Sequence, residues 1–98
     1  MIIHYVEEFS DLKFTPLWDG VQAIVNFGDY ELSIVKHSGS YGASNGLYEI
    51  GVTKDNEMVE LPGITLADDT VKGHLTEEDV SVIIKKMYTL TGNEGVQI

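Results

Sequence analysis

Apolar and polar positions alternate most clearly between Tyr30 and Val52, YELSIVKHSGSYGASNGLYEIGV. Tyr30, Leu32 and Ile34 oppose Glu31, Ser33 and Val35 with the period of two that a pleated strand imposes, so residues 30–37 read as a strand. Residues 46–54 read as the next, with Tyr48, Ile50 and Val52 on one face and Leu47, Glu49 and Gly51 on the other. Between them Ser38 to Asn45 is punctuation, in which Gly39 and Gly42 supply positive φ where the connection needs it. Asp55-Asn56 then turns tightly into Glu57–Leu61, a hairpin whose Met58 and Leu61 point inward.

Upstream, residues 17–28 admit two readings. As a helix, Asp19 is the N-cap and Val21, Ile24, Val25 and Phe27 form a rough stripe stopped by Gly28. As a strand, Val21, Ala23 and Val25 share one face and Gln22, Ile24 and Asn26 the other, with Asp19-Gly20 turning in and Gly28-Asp29 turning out. The β-branched residues and the flanking turn pairs favour the strand. Met1 to Val6 suits a short strand with Ile3, Tyr5 and Phe9 on its buried side. Ser10-Asp11 breaks it, and Pro16 ends what precedes, leaving room for a second strand around Lys13–Thr15.

Downstream, Pro62-Gly63 interrupts the sheet, and residues 64–74 form a connection anchored by Ile64, Leu66 and Val71. Thr76 opens a helix: its hydroxyl caps, Asp79 occupies the reciprocal position of a T-x-x-D box, and Glu77 and Glu78 add negative charge at the positive end of the dipole. Val80, Ile83, Ile84 and Met87 recur at helical spacing, and Gly92-Asn93 stops the run. Residues 93–98 read as a frayed tail or a short edge strand. The expected fold is α+β: a β-meander of about three to five antiparallel strands with a C-terminal amphipathic helix packed on one face. Residues 1–98 make a single domain.

Charge changes the picture more than any other property. Sixteen acidic residues stand against six lysines and no arginine, a net −10. Such a surface repels phosphate backbones, so direct binding of nucleic acid is disfavoured, and solubility or a basic protein partner is favoured. No run approaches the roughly 20 apolar residues of a membrane span. The opening MIIHYVEEF lacks the basic n-region of a secretory signal. With no cysteine there is no disulfide, thiolate metal site or cysteine nucleophile, which fits a reducing cytoplasm.

Candidate chemistry is sparse. The stretch from Gly39 to Gly46, GSYGASNG, invites a phosphate-cradling reading. It leads into a strand, however, and no lysine follows its last glycine, so it matches neither a P-loop nor a dinucleotide fingerprint. A plain long hairpin turn, or a flexible recognition loop presenting Tyr41 to a partner, fits better. His4, His37 and His74 show no ligand spacing, so no metal or other cofactor is expected. Ser38 and Ser40 beside His37 form no nucleophile elbow. No enzymatic activity is expected.

The acids themselves are unevenly placed. Between Asp55 and Asp79 eight of them face the single Lys72, a net −7. If the connection folds back beside the hairpin, Asp55, Glu57, Glu60, Asp68, Asp69, Glu77 and Glu78 form one negative face. With Tyr41, these are the candidate partner-binding residues.

Several of these segments resemble small uncharacterised proteins of tailed bacteriophages. The resemblance lies in the strand ending Lys36-His37, the turn Ser40-Tyr41-Gly42, the strand Gly46 to Ile50, and Asp68-Asp69 through the helix start at Val80. It covers about half of the chain and implies a phage origin and expression inside a bacterium, with no activity attached. The expected function is a non-enzymatic phage accessory protein that engages a basic surface of a host or phage protein through an acidic face. The alternatives are a self-associating assembly module, a homodimer through an exposed sheet edge, or a small-ligand binder using the glycine-rich loop.

Overall fold

The computed structural model describes residues 3–97. Among them, eight strands form one antiparallel sheet: β1 (His4–Val6), β2 (Thr15–Leu17), β3 (Gly20–Phe27), β4 (Tyr30–Lys36), β5 (Tyr48–Lys54), β6 (Glu57–Met58), β7 (Val71–Leu75) and β8 (Gly95–Gln97). Helix α1 (Glu77–Thr91) covers one face. The strand order is β1-β8-β3-β4-β5-β6. β2 takes the half of β3 that β8 leaves free, and β7 takes the half of β5 beyond β6.

The expected α+β meander is present in β3, β4, β5 and β6. Alternation decides its inner face. Ala23, Val25 and Phe27 lie buried beside Leu32 and Ile34, which pair with Val52 and Ile50 of β5. Residues 17–28 therefore take the strand reading, and Gly28-Asp29 is the hairpin turn, with Gly28 at φ 64. Onto this face α1 lays Val80, Ile83, Ile84 and Met87, each at most 4% exposed.

The helix starts as its sequence predicts. The Asp79 amide donates to Thr76 Oγ1 at 3.1 Å, and the Thr76 amide donates to Asp79 Oδ2 at 3.0 Å. Its far end closes on Gly92, at φ 70, whose amide donates to Tyr88 O at 2.9 Å. Thr76→Ala should cost about 1 kcal/mol of stability, measured by urea denaturation. The amide and hydroxyl of Thr76 hold the Asp79 carboxyl below its usual 3.8. A carboxylate depressed in the native state stabilises it above the unfolded value and loses that contribution as pH falls. The melting-temperature gap between wild type and Asp79→Ala is therefore expected to be full at neutral pH and to close below pH 3.8.

Four short strands depart from the sequence reading. In β1 it is Val6 that is buried, while Ile3 and Tyr5 are half exposed, because a strand shifted by one residue exchanges its faces. Phe9 reaches the core from a 3-10 turn at Phe9–Asp11 and packs against Phe14 and Tyr48. Pro16 lies inside β2, opposite Val21, at a sheet margin where its missing N–H costs no ladder bond. The turn into β3 is Trp18-Asp19, one residue earlier than Asp19-Gly20. Residues 64–74 are not all connection, since β7 pairs with β5 through an irregular register between Tyr48 and Ile50. Residues 95–97 are no edge: β8 lies inside the sheet, and Met1, Ile2 and Ile98 fall outside the described residues.

Two inward assignments also fail: Met58 and Leu66 are half exposed. Ile64 is buried and Leu61 packs on the core as expected, and Val59 joins them. The chain leaves β6 directly after Met58, with the Val59 amide donating to Val52 O at 3.0 Å, so the alternation does not continue. Gly39 does not take positive φ, whereas Gly42 and Gly46 do.

The position of β8 depends on two local features. A Cβ on Gly95 would lie 2.7 Å from Phe27 Cε1, so only glycine lets the strand pass this ring. Gln97 then closes the gap towards β2: its Oε1 accepts from the Lys13 amide at 2.8 Å and its Nε2 donates to Lys13 O at 3.0 Å. The side-chain amide thus substitutes for a missing backbone pair.

Candidate functional site

The predicted acidic residues are all exposed, and the fold divides them into two groups. Asp55 sits in the β5–β6 turn and Glu57 in β6, opposite Lys54. Glu60 accepts from the Asp68 amide through Oε2, which folds the 59–70 connection back on itself. Asp69 Oδ1 accepts from the Thr70 amide at 2.7 Å and from the Val71 amide at 3.3 Å, directly before β7. These five acids therefore follow one margin of the sheet, beyond β5. Glu77 and Glu78 do not join them. Leu75 pairs with Tyr48 and Glu57 with Lys54, at opposite ends of β5, a separation of about 20 Å at strand rise. The helix-start acids complement the dipole instead.

The glycine-rich connection is a closed structure. Gly39 donates to His37 Nδ1 at 3.0 Å, Ser40 to His37 O at 2.9 Å, and Tyr41 to Glu49 Oε1 at 2.9 Å. Asn45 and Leu47 both donate to Gly42 O at 3.0 Å, and Gly46 donates to Ala43 O at 2.9 Å. A phosphate cradle needs free amides, and this loop has engaged most of its own. Tyr41 is fixed through its backbone, since Tyr41 O accepts from the His74 amide at 3.2 Å, while its side chain projects into solvent, 62% exposed. Gly73 permits that contact, because a Cβ there would lie 2.4 Å from Tyr41 Cβ. The sequence reading allows a flexible loop here; the hydrogen bonds instead hold Tyr41 on a braced turn.

The histidines are dispersed. His4 Nε2 meets Asp11 O, His37 packs at the β4 end of the connection, and His74 lies in β7. Among the described residues no group of three or more His, Asp or Glu converges on a point. No helix there is long and apolar enough to cross a membrane.

Two surface features were missed at the level of sequence. The first is Trp18, 81% exposed in the β2–β3 turn, with its ring edge-on to His37 at 4.8 Å and 88°. Asp19 beside it accepts from the Ser38 amide at 3.1 Å, and this bond with the Ser38 hydroxyl holds its carboxyl below the usual range. A tryptophan next to an Asp-Gly pair was the available signal, because a turn position cannot face the core. The second is a groove of about 590 Å³ between β1 and the C-terminal half of α1. Buried Val6, Ile84 and Gly95 line it with half-exposed Tyr5 and Tyr88, and Glu7, Glu94 and Lys85 supply its charges. Its walls come from opposite ends of the chain, so no local pattern announces it.

No family model, curated protein or solved structure matches the chain.

Proposed function

We propose that this chain is a non-enzymatic accessory binding protein that engages a basic surface on another protein. The observation that carries this reading is the margin of the sheet where Asp55, Glu57, Glu60, Asp68 and Asp69 follow one another in a molecule of net charge −10. Carboxylates at a sheet margin add little stability but set a field that selects and accelerates a cationic partner. The same field opposes direct contact with DNA or RNA. The motif resemblance supports a phage-encoded factor acting in the cytoplasm of its host. Tyr41 offers an aromatic anchor on a separate, rigid turn.

The test is affinity capture from bacterial lysate at low and high salt, with wild type beside the triple variant Asp55→Asn, Glu57→Gln, Asp68→Asn. Asparagine tolerates the positive φ of Asp55 (52°) and Asp68 (60°), so the variant keeps the fold. A partner held by wild type at low salt, released by salt and lost by the variant is the expected result. Retention indifferent to both salt and variant, or no partner at all, would refute it.

A further inference from the structure

We propose that the groove between β1 and α1 receives an extended segment of the basic partner, paired with β1 as an added strand and holding a cationic side chain against Tyr88 and Glu94. This rests on the reading above that the partner is basic, and it names where on the chain one segment of that partner is held.

The sheet order ends at β1, and among the described residues no strand pairs with its outer side. An unpaired edge offers a row of amides and carbonyls to a second chain, and strand addition is the recognition mode that uses it. The edge alone gives no selectivity. Selectivity comes from what lies beside it. In an added strand alternate side chains point to one face, and the helix-covered side of β1 carries the groove. Buried Val6 and Ile84 offer an apolar surface to a side-chain stem, while Tyr88 remains 55% exposed. A volume of about 590 Å³ admits a few side chains rather than a folded element.

Charge decides the class of guest. Glu7 and Glu94 stand in the lining against the single cation of Lys85, within a chain of net charge −10. Aromatic faces next to carboxylates attract an ammonium or guanidinium by its charge and by the ring quadrupole together. The aliphatic stem of arginine or lysine lies along the apolar surface while its head reaches the carboxylates. An acidic segment would meet the opposite field. A second copy of this chain brings the same acidic excess and no arginine, so it is the poorer occupant.

The probe is an acetylated, amidated peptide of alternating arginine and valine, titrated into the full chain by calorimetry, with backbone amide shifts followed by NMR. Three companions accompany it: the same peptide N-methylated along one edge, one with glutamate for arginine, and protein variants Tyr88→Ala, Tyr88→Phe and Glu94→Lys. Tyr88 and Glu94 are exposed, so these variants keep the fold, and melting curves check that they do. The arginine peptide should bind wild type, weaken with salt and shift the amides of Tyr5 to Glu7. Tyr88→Ala should weaken it about 3- to 30-fold, a cation–π contribution. Tyr88→Phe should restore it, Glu94→Lys should weaken it, and the N-methylated and glutamate peptides should fail. Binding that survives both N-methylation and Tyr88→Ala overturns the proposal. If that binding is lost in the triple variant of the acidic margin, the proposed function stands and only the groove falls. Absence of binding by the arginine peptide also overturns it, as does a dimer in sedimentation that Glu94→Lys disperses, which would show a second copy at this edge.

Discussion

Ile84→Asp is expected to abolish the cooperative melting transition. Ile84 is 1% exposed and shares the core with Val80, Ile83, Met87 and the inner faces of β3, β4 and β5. Removing that side chain from the core forfeits about 1.5–3 kcal/mol of burial. An unpaired carboxylate then sits against apolar side chains, at a further cost of several kcal/mol whether it stays charged or takes up a proton. The whole net stability of such a domain is about 5–15 kcal/mol, so one substitution removes most or all of it. Val82→Asp, two residues earlier and 52% exposed, should change stability by no more than about 0.5 kcal/mol. Far-UV circular dichroism on heating separates the cases. An Ile84→Asp protein that melts like wild type would mean that this face of the helix is not docked.

Gly20→Ala should be nearly as damaging, for a different reason. Gly20 begins β3, and a Cβ there would lie 1.9 Å from Lys36 O and 2.7 Å from His37 Cα. Both are backbone atoms, so no rotamer relieves the clash, and β4 has to move away from β3. Overpacking costs typically about 1–3 kcal/mol where side chains can yield; here the loss should lie at or above the top of that range. Gly46→Ala makes the comparison, since Gly46 takes φ 73 with nothing within 4 Å of the added methyl. It carries only the left-handed penalty of about 1–2 kcal/mol. Urea midpoints for the two variants should therefore differ clearly, with Gly20→Ala the lower. Equal midpoints would show that β3 and β4 do not approach this closely.

These two sites also show what the sequence makes legible. The docked face of α1 was readable because four apolar residues recur at helical spacing behind a capping box, and β3 to β5 because alternation persists over seven or eight residues. β1, β2 and β8 have three residues each, too few to display a period, so their faces and neighbours are fixed by register alone. β7 was hidden by Gly73 and by His74 at φ 58, which break the alternation where the register shifts. The seven candidate acids share one quarter of the sequence, residues 55–78, but not one place in space. Their division follows from which ends of β5 pair with β6 and β7, and the alternating pattern does not encode that. Tyr41 was legible because a residue amid turn-formers has nowhere to go but outward. The groove was not, because its walls, β1 and the later part of α1, come together only after the sheet has closed.

The placement of β8 bears on how the molecule is made. A ribosome releases β1 early and β8 after everything else described here, yet β8 is the strand that joins β1 to β3. The β3–β4–β5 meander can assemble while the chain is still emerging, whereas β1 has no strand partner until β8 has been made. Until then the flank of Phe27 that Gly95 will cover stays open to water and to other nascent chains. Closing the sheet is thus an insertion of β8 between two strands made before it.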